Sequence, residues 1–90
     1  MTIQQGIYIL RSDKNNRYYI GSTKNLEIRF QEHSVGLVKS TKFLRPLKIV
    51  FFQGYAKLSD ARKIEFKLKK LKRRDYIEKI IKDGEIKMGL

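Results

Sequence analysis

The sequence predicts a single α+β domain built on a small antiparallel sheet of three strands in the order 2-1-3, flanked by about three helices. Three observations lead there. Two β-branched and aromatic runs, GIYILRS at 6–12 and RYYIGS at 17–22, are separated only by Asp13-Lys14-Asn15-Asn16. A third such run, LKIVFFQ, lies at 47–53, and three stretches with helical spacing of apolar residues fill the remaining intervals. Ninety residues hold one core, since a chain of this size buries only about 60% of its surface. Residues 1–90 are therefore read as one domain.

The first two runs form a hairpin. If the four polar residues make the turn, paired residue numbers sum to 29, which puts Tyr8, Leu10, Tyr19 and Gly21 on one face and Ile7, Ile9, Tyr18 and Ile20 on the other. Ser22 or Thr23 can cap a helix running to about Ser34, with Leu26, Phe30, His33 and Leu37 in a narrow stripe and Arg29 at its edge. Arg29 and His33 are one turn apart, so both leave the helix toward the hairpin. Residues 34–45, with Gly36 and the basic-hydroxyl stretch Lys39-Ser40-Thr41-Lys42, read as an exposed loop ended by Arg45-Pro46.

In the third run, residues 49–52 suit a strand covered on both faces. Ser59 can cap a long second helix with Ala61, Ile64, Leu68 and Leu71 as its apolar stripe and Glu65 beside it. A last amphipathic helix at about 75–82 offers Tyr76, Ile77, Ile80 and Ile81, and Gly84 can stop it. The first strand, paired on both sides, is central. The helix between strands two and three crosses over the sheet.

Composition narrows the function. The chain has no cysteine and one histidine, which excludes disulfide frameworks, thiolate metal clusters and sites built from several imidazoles. The stretch MTIQQ and the short apolar run at 49–52 give no expectation of export or of a membrane anchor, so a cytoplasmic location without a membrane partner is expected. Twenty-one Lys and Arg against nine acids give +12. The excess is +6 in residues 1–56 and +6 in 57–90, so it belongs to the folded body and not to a tail. Such a surface attracts polyanions through counterion release. The basic candidates for phosphate contact are Arg11, Lys39, Lys42, Arg45, Lys69 and Lys72, joined by Lys70, Arg73 and Arg74 in the run LKKLKRR.

Taken singly, the candidates for chemistry are ordinary: strand tyrosines usually pack, and a lone helical histidine is usually structural. Together, Tyr8, Tyr19, Arg29, His33 and Glu65 come from four elements and point to one side of the hairpin. At these residues the sequence resembles the GIY-YIG nuclease superfamily. Gly6-Ile7-Tyr8 matches the first signature and Tyr19-Ile20-Gly21 the second, and Gly21-Ser22-Thr23, Asn25-Leu26-Glu27, Arg29, Glu32-His33, Gly36, Arg45-Pro46-Leu47, Ser59-Asp60-Ala61 and Glu65 continue the likeness. The resemblance covers roughly residues 6–75. It is to small single-domain bacterial members, similar to the catalytic modules of the repair excinuclease and of phage homing endonucleases.

That resemblance implies a divalent-metal-dependent endonuclease, with Mg²⁺ or Mn²⁺ carried by Glu65, acting on nucleic acid, DNA ahead of RNA, in DNA processing or repair. It implies Tyr8 as general base, Arg29 on the scissile phosphate, His33 as recipient or relay of the tyrosine proton, and Tyr19 as an orienting group. Arg11 stands where some relatives have a lysine, and would stabilise a tyrosinate. The family's downstream asparagine has no counterpart after Asn25.

A phenol with a pKa of about 10 is roughly 0.1% ionised at neutrality, so the cations around Tyr8 are expected to favour tyrosinate by about 3 units, roughly 4 kcal/mol. The alternative is a non-catalytic basic nucleic-acid-binding module on the same fold. An acidic-x-Lys element at Glu65-Phe66-Lys67 is disfavoured by its helical setting, and a two-metal site by the lack of converging acids. A separate targeting protein is a possible partner, and the sequence leaves the oligomeric state open.

Overall fold

The computed structural model describes residues 4–88. Strand β1 (Gly6–Ser12) is central, with β2 (Tyr18–Thr23) and β3 (Leu47–Gly54) antiparallel on its two sides, in the order β2-β1-β3. Helix α1 (Leu26–Ser34) and a 3-10 turn (Lys42–Leu44) lie between β2 and β3, and helices α2 (Leu58–Leu71) and α3 (Arg74–Asp83) follow β3. The α+β class, strand order and three helices agree with expectation. Among the described residues no helix is long and apolar enough to cross a membrane.

The hairpin register is the expected one. Tyr8 pairs with Gly21 and Leu10 with Tyr19, and Ser12 closes the turn through hydrogen bonds to Arg17 and Asn16. Strand alternation then sorts the side chains into two clusters. Ile7, Ile9, Ile20 and Phe51 pack with Ala61, Ile64, Leu68, Ile77 and Ile80 of the two C-terminal helices. On the opposite face Tyr8, Leu10 and Leu47 pack with Tyr19, Leu26, Phe30, Leu44 and Phe52. The sheet is thus covered by α2 and α3 on one face and by α1 on the other.

Several local expectations are corrected. Asn25, not Ser22 or Thr23, caps α1: its Oδ1 accepts the Ile28 N–H at 3.1 Å, while Ser22 and Thr23 still belong to β2. Helix α2 begins at Leu58, one residue before the proposed cap Ser59, and its N-cap Lys57 supplies no side-chain bond. Leu37 leaves the α1 stripe because the helix stops at Ser34, and it is exposed, as is Leu71 at the end of α2. Residues 34–45 are not uniformly exposed: Val38 and Thr41 are buried.

Residues 49–52 are not covered on both faces. Opposite Ile9 and Leu10 the pairing jumps from Phe51 to Ile49, so Val50 is an extra residue in β3 and the strand bends. Phe51 is buried, whereas Ile49 is exposed. Phe66 of α2 is 68% exposed. Helix α3 ends where expected, with Gly84 in the left-handed region at φ 76°.

Candidate active site

Tyr8 is fully buried in the central strand. Its ring fits because residue 21, directly across the ladder, has no side chain: a Cβ there would stand 2.4 Å from both Cζ and Oη of Tyr8. Gly21 is therefore a packing glycine against the phenol. From α1, His33 enters the same space. Tyr8 Oη and His33 Nε2 are 2.8 Å apart, and both tyrosine rings meet the imidazole edge-on, with centroid separations of 5.5 Å for Tyr8 and 5.2 Å for Tyr19. The two phenol rings lie 6.4 Å apart.

The remaining imidazole nitrogen fixes the direction of these bonds. His33 Nδ1 is 2.7 Å from Thr41 Oγ1, whose own hydroxyl donates to Val38 O at 3.4 Å. With that proton committed, Thr41 Oγ1 accepts from Nδ1–H, so Nε2 carries the lone pair and accepts the Tyr8 hydroxyl. His33 and Thr41 are both wholly buried. Burial, seconded by the Arg29 charge, pushes His33 down to about 4 and keeps the imidazole neutral at physiological pH.

Arg29, one turn before His33, stands beside the Tyr8 phenol and is ion-paired to Glu32 at 3.1 Å. Its pKa is pushed further up, first by its interaction with Tyr8. The phenol does not follow the expected direction. Burial outweighs the guanidinium, with Tyr19 and Glu65 adding to it, and Tyr8 is pushed up to about 12. The protein's own charges do not supply the expected tyrosinate: Tyr8 is a neutral phenol whose hydrogen bond is already aimed at a base.

Glu65 reaches the β2 edge from α2. It accepts a hydrogen bond from Ser22 Oγ and pairs with Lys69 Nζ at 2.7 Å. Its charge is felt at Tyr8. Lys69 also lies 5.4 Å from the centroid of the Tyr19 ring, which ties the carboxylate to the second signature tyrosine. The five expected residues are thus brought together. Sequence reasoning misses Thr41 and Ser22 in these roles, placing one as a loop hydroxyl and the other as a helix cap, and only tertiary placement reveals them.

The basic candidates divide. Arg11 pairs across β1 with Tyr18, on the face opposite Tyr8, so alternation overturns its expected action on a tyrosinate. Its Nε is buried without a hydrogen-bond partner among the described residues. Arg45 folds back over Gly36 and donates to Lys42 O at 3.0 Å and to Ser34 O at 3.5 Å, so its guanidinium secures the loop after α1. Lys39 and Lys42 are exposed, Lys42 near the ring of Phe43, and Lys72 is exposed at the elbow between α2 and α3.

Among the described residues no three His, Asp or Glu side chains converge as a metal cage. The donors at the β2 edge fit a different kind of ion site. Mg²⁺ keeps most of its ligands as water and takes one or two carboxylates plus phosphate oxygens, and Glu65 offers one carboxylate that is partly open to solvent.

The family model described as the GIY-YIG catalytic domain matches residues 4–80. Similar relatives include a UPF0213 protein of Listeria welshimeri, 35% identical over 87% of both chains. Others are a UPF0213 protein of Syntrophus aciditrophicus, 39% identical over 88% of this chain and 92% of the relative, and one of Clostridium perfringens, 35% identical over 82% and 80%. No solved structure matches significantly.

Proposed function

This chain belongs to the GIY-YIG family, a nuclease superfamily, and from that premise we propose that it is a divalent-metal-dependent endonuclease hydrolysing phosphodiester bonds, in DNA ahead of RNA, in DNA processing or repair. The observation that carries the reading is the bond from Tyr8 Oη to His33 Nε2, with the far nitrogen tied to Thr41.

A phenol pushed up to about 12 is a poor free base. It becomes competent when its proton leaves as another arrives. An attacking water gives a proton to Tyr8 Oη while Tyr8 passes its own to His33 Nε2, and the imidazolium forms with both nitrogens protonated. Arg29, beside the phenol, holds the scissile phosphate and neutralises its developing charge. Tyr19 orients water or phosphate at the edge of the site. Glu65 would hold a Mg²⁺ or Mn²⁺ ion, with Ser22 steadying the carboxylate, and the bound ion would supply stabilisation of the leaving oxygen. Exposed Lys39 and Lys42 add sequence-independent grip on the backbone.

The second reading is a non-catalytic nucleic-acid-binding module. The ion pair from Lys69 to Glu65 favours it, because the carboxylate is already neutralised. A cleavage panel decides between them: duplex, branched and single-stranded DNA and RNA, with Mg²⁺ or Mn²⁺, wild type beside Tyr8→Phe and Glu65→Ala. Cutting by wild type alone, with salt-dependent binding kept in all three, supports the enzyme. Cutting that survives in the variants removes the site assignment, and no cutting by any protein establishes the binder.

A further inference from the structure

Beyond the reacting groups, the surface holds a second feature that the catalytic reading leaves unused. A hollow of about 360 Å³ opens between the edge strand β2, the end of α2 and the start of α3. Its wall is apolar and aromatic, from Tyr18, Leu68 and Ile77, and its rim is cationic, from Arg17, Lys72 and Arg74. Its volume falls within the range of small-ligand pockets, and Tyr19 and Lys69 line its inner end. Lys69 pairs with Glu65 and Tyr19 meets the His33 ring edge-on, so hollow and candidate active site are continuous.

Two details show a recognition surface prepared for a planar, anionic ligand. The Arg74 guanidinium lies 4.6 Å from the Tyr18 ring centroid and is held in place by Asn16 O at 2.9 Å and Glu78 at 3.6 Å. A planar cation fixed on an aromatic ring is a stacking platform. At the elbow, Lys72 has φ 51° and its side chain makes no ion pair or hydrogen bond among the described residues, and the Arg17 side chain likewise has none. Both stand exposed at the rim, available to phosphate oxygens.

We propose that this hollow is a subsite for one unpaired nucleotide of a DNA strand, next to the scissile phosphate: the base stacks against the Tyr18–Arg74 platform and the flanking phosphates meet Lys72 and Arg17. A base inside a duplex cannot leave its stack without an unpairing penalty, so the subsite selects strands that already carry an unpaired nucleotide. The location beside the scissile bond rests on the nuclease reading; the pocket's preference for an unpaired base does not.

The test is metal-free equilibrium binding, in EDTA, of a short labelled DNA strand and of the duplex made from it. Tyr18→Leu keeps apolar bulk and removes the ring, and Lys72→Gln and Arg17→Gln alter exposed positions that folding does not need. Tyr18→Leu is expected to weaken strand binding about fivefold or more while changing duplex binding less than about twofold. Lys72→Gln is expected to lower the salt slope for the strand by about 0.7. Equal loss on strand and duplex, or no loss on either, overturns the subsite. Should Tyr18→Leu prove unstable, an unchanged salt slope in both Lys72→Gln and Arg17→Gln overturns it instead. Cleavage is read separately with Mg²⁺: a chain that cuts nothing yet shows the selective loss refutes the nuclease reading and keeps the subsite, and the reverse pattern refutes the subsite alone.

Discussion

Thr41 Oγ1 sits 2.7 Å from His33 Nδ1, and because its own proton goes to Val38 O it dictates which imidazole nitrogen faces Tyr8. Thr41→Val preserves shape and removes the acceptor. It leaves a buried N–H unsatisfied, at about 1–3 kcal/mol of stability, and frees the ring to adopt the other tautomer, with Nε2–H toward the phenol. Nitrogen NMR of the imidazole should show the tautomer shift, and cleavage should fall, whereas Thr41→Ser should restore both. Wild-type tautomer and activity in Thr41→Val would leave Thr41 as packing only.

His33 makes stability pH-dependent on the acidic side. Its pKa is lowered from 6.5 to about 4 in the fold, so the unfolded chain takes up the proton first as pH falls. The stabilisation is fully present above about 6.5, is lost progressively toward 4, and amounts to roughly 3 kcal/mol. Denaturant melts at intervals across this window should show that decline, and His33→Gln should flatten it. A profile that stays steep in His33→Gln would assign the acid sensitivity to carboxylates.

Tyr8 acts on the alkaline side. Its pKa is raised by burial from 10.0 to about 12, so the unfolded phenol ionises first and the native state loses stability as pH rises from about 10 toward 12. Ultraviolet titration of tyrosinate should find late-titrating phenols, because burial raises Tyr55 as well, and the one titrating near 12 should disappear in Tyr8→Phe. A wild-type curve without that late phenol would mean that solvent or Arg29 stabilises the tyrosinate more than burial opposes it.

Gly21 gives a steric prediction. A methyl placed there would stand 2.4 Å from Tyr8 Oη, so Gly21→Ala must push the phenol off His33. Overpacking of this kind destabilises by about 1–3 kcal/mol, and the variant should lose cleavage while keeping its charge-driven affinity for nucleic acid. Retained cleavage would show that the 2.8 Å bond between Tyr8 and His33 is dispensable.

Much of this site is legible in the sequence because period-two alternation and a four-residue turn fix a register without tertiary knowledge. Tyr8 and Tyr19 share a face for that reason alone, and the helical spacing of Arg29 and His33 points both toward it. The same alternation puts Arg11 on the far side, against what the likeness to relatives with a lysine there implies. Thr41 is not legible, since a hydroxyl in a basic loop has no pattern that says it will be buried against an imidazole. The phenol's pKa moves opposite to expectation for a related reason: counting nearby cations is possible from sequence, but weighing them against burial requires the packed core.

Lys69 supplies the last test, because its ammonium occupies the carboxylate that a divalent ion would need. The pair joins a half-exposed lysine to a largely buried glutamate, 2.7 Å apart, and partly exposed pairs of this kind are worth up to about 1 kcal/mol. An ion that binds Glu65 must first displace the ammonium, so Lys69→Met should tighten metal binding up to about fivefold. Mn²⁺ titration followed by electron paramagnetic resonance, without nucleic acid, reads this directly. Glu65→Gln should abolish the same signal. Weaker Mn²⁺ binding in Lys69→Met would instead mean that the lysine holds the carboxylate in the orientation the ion requires, and unchanged binding in Glu65→Gln would move the ion elsewhere on the surface.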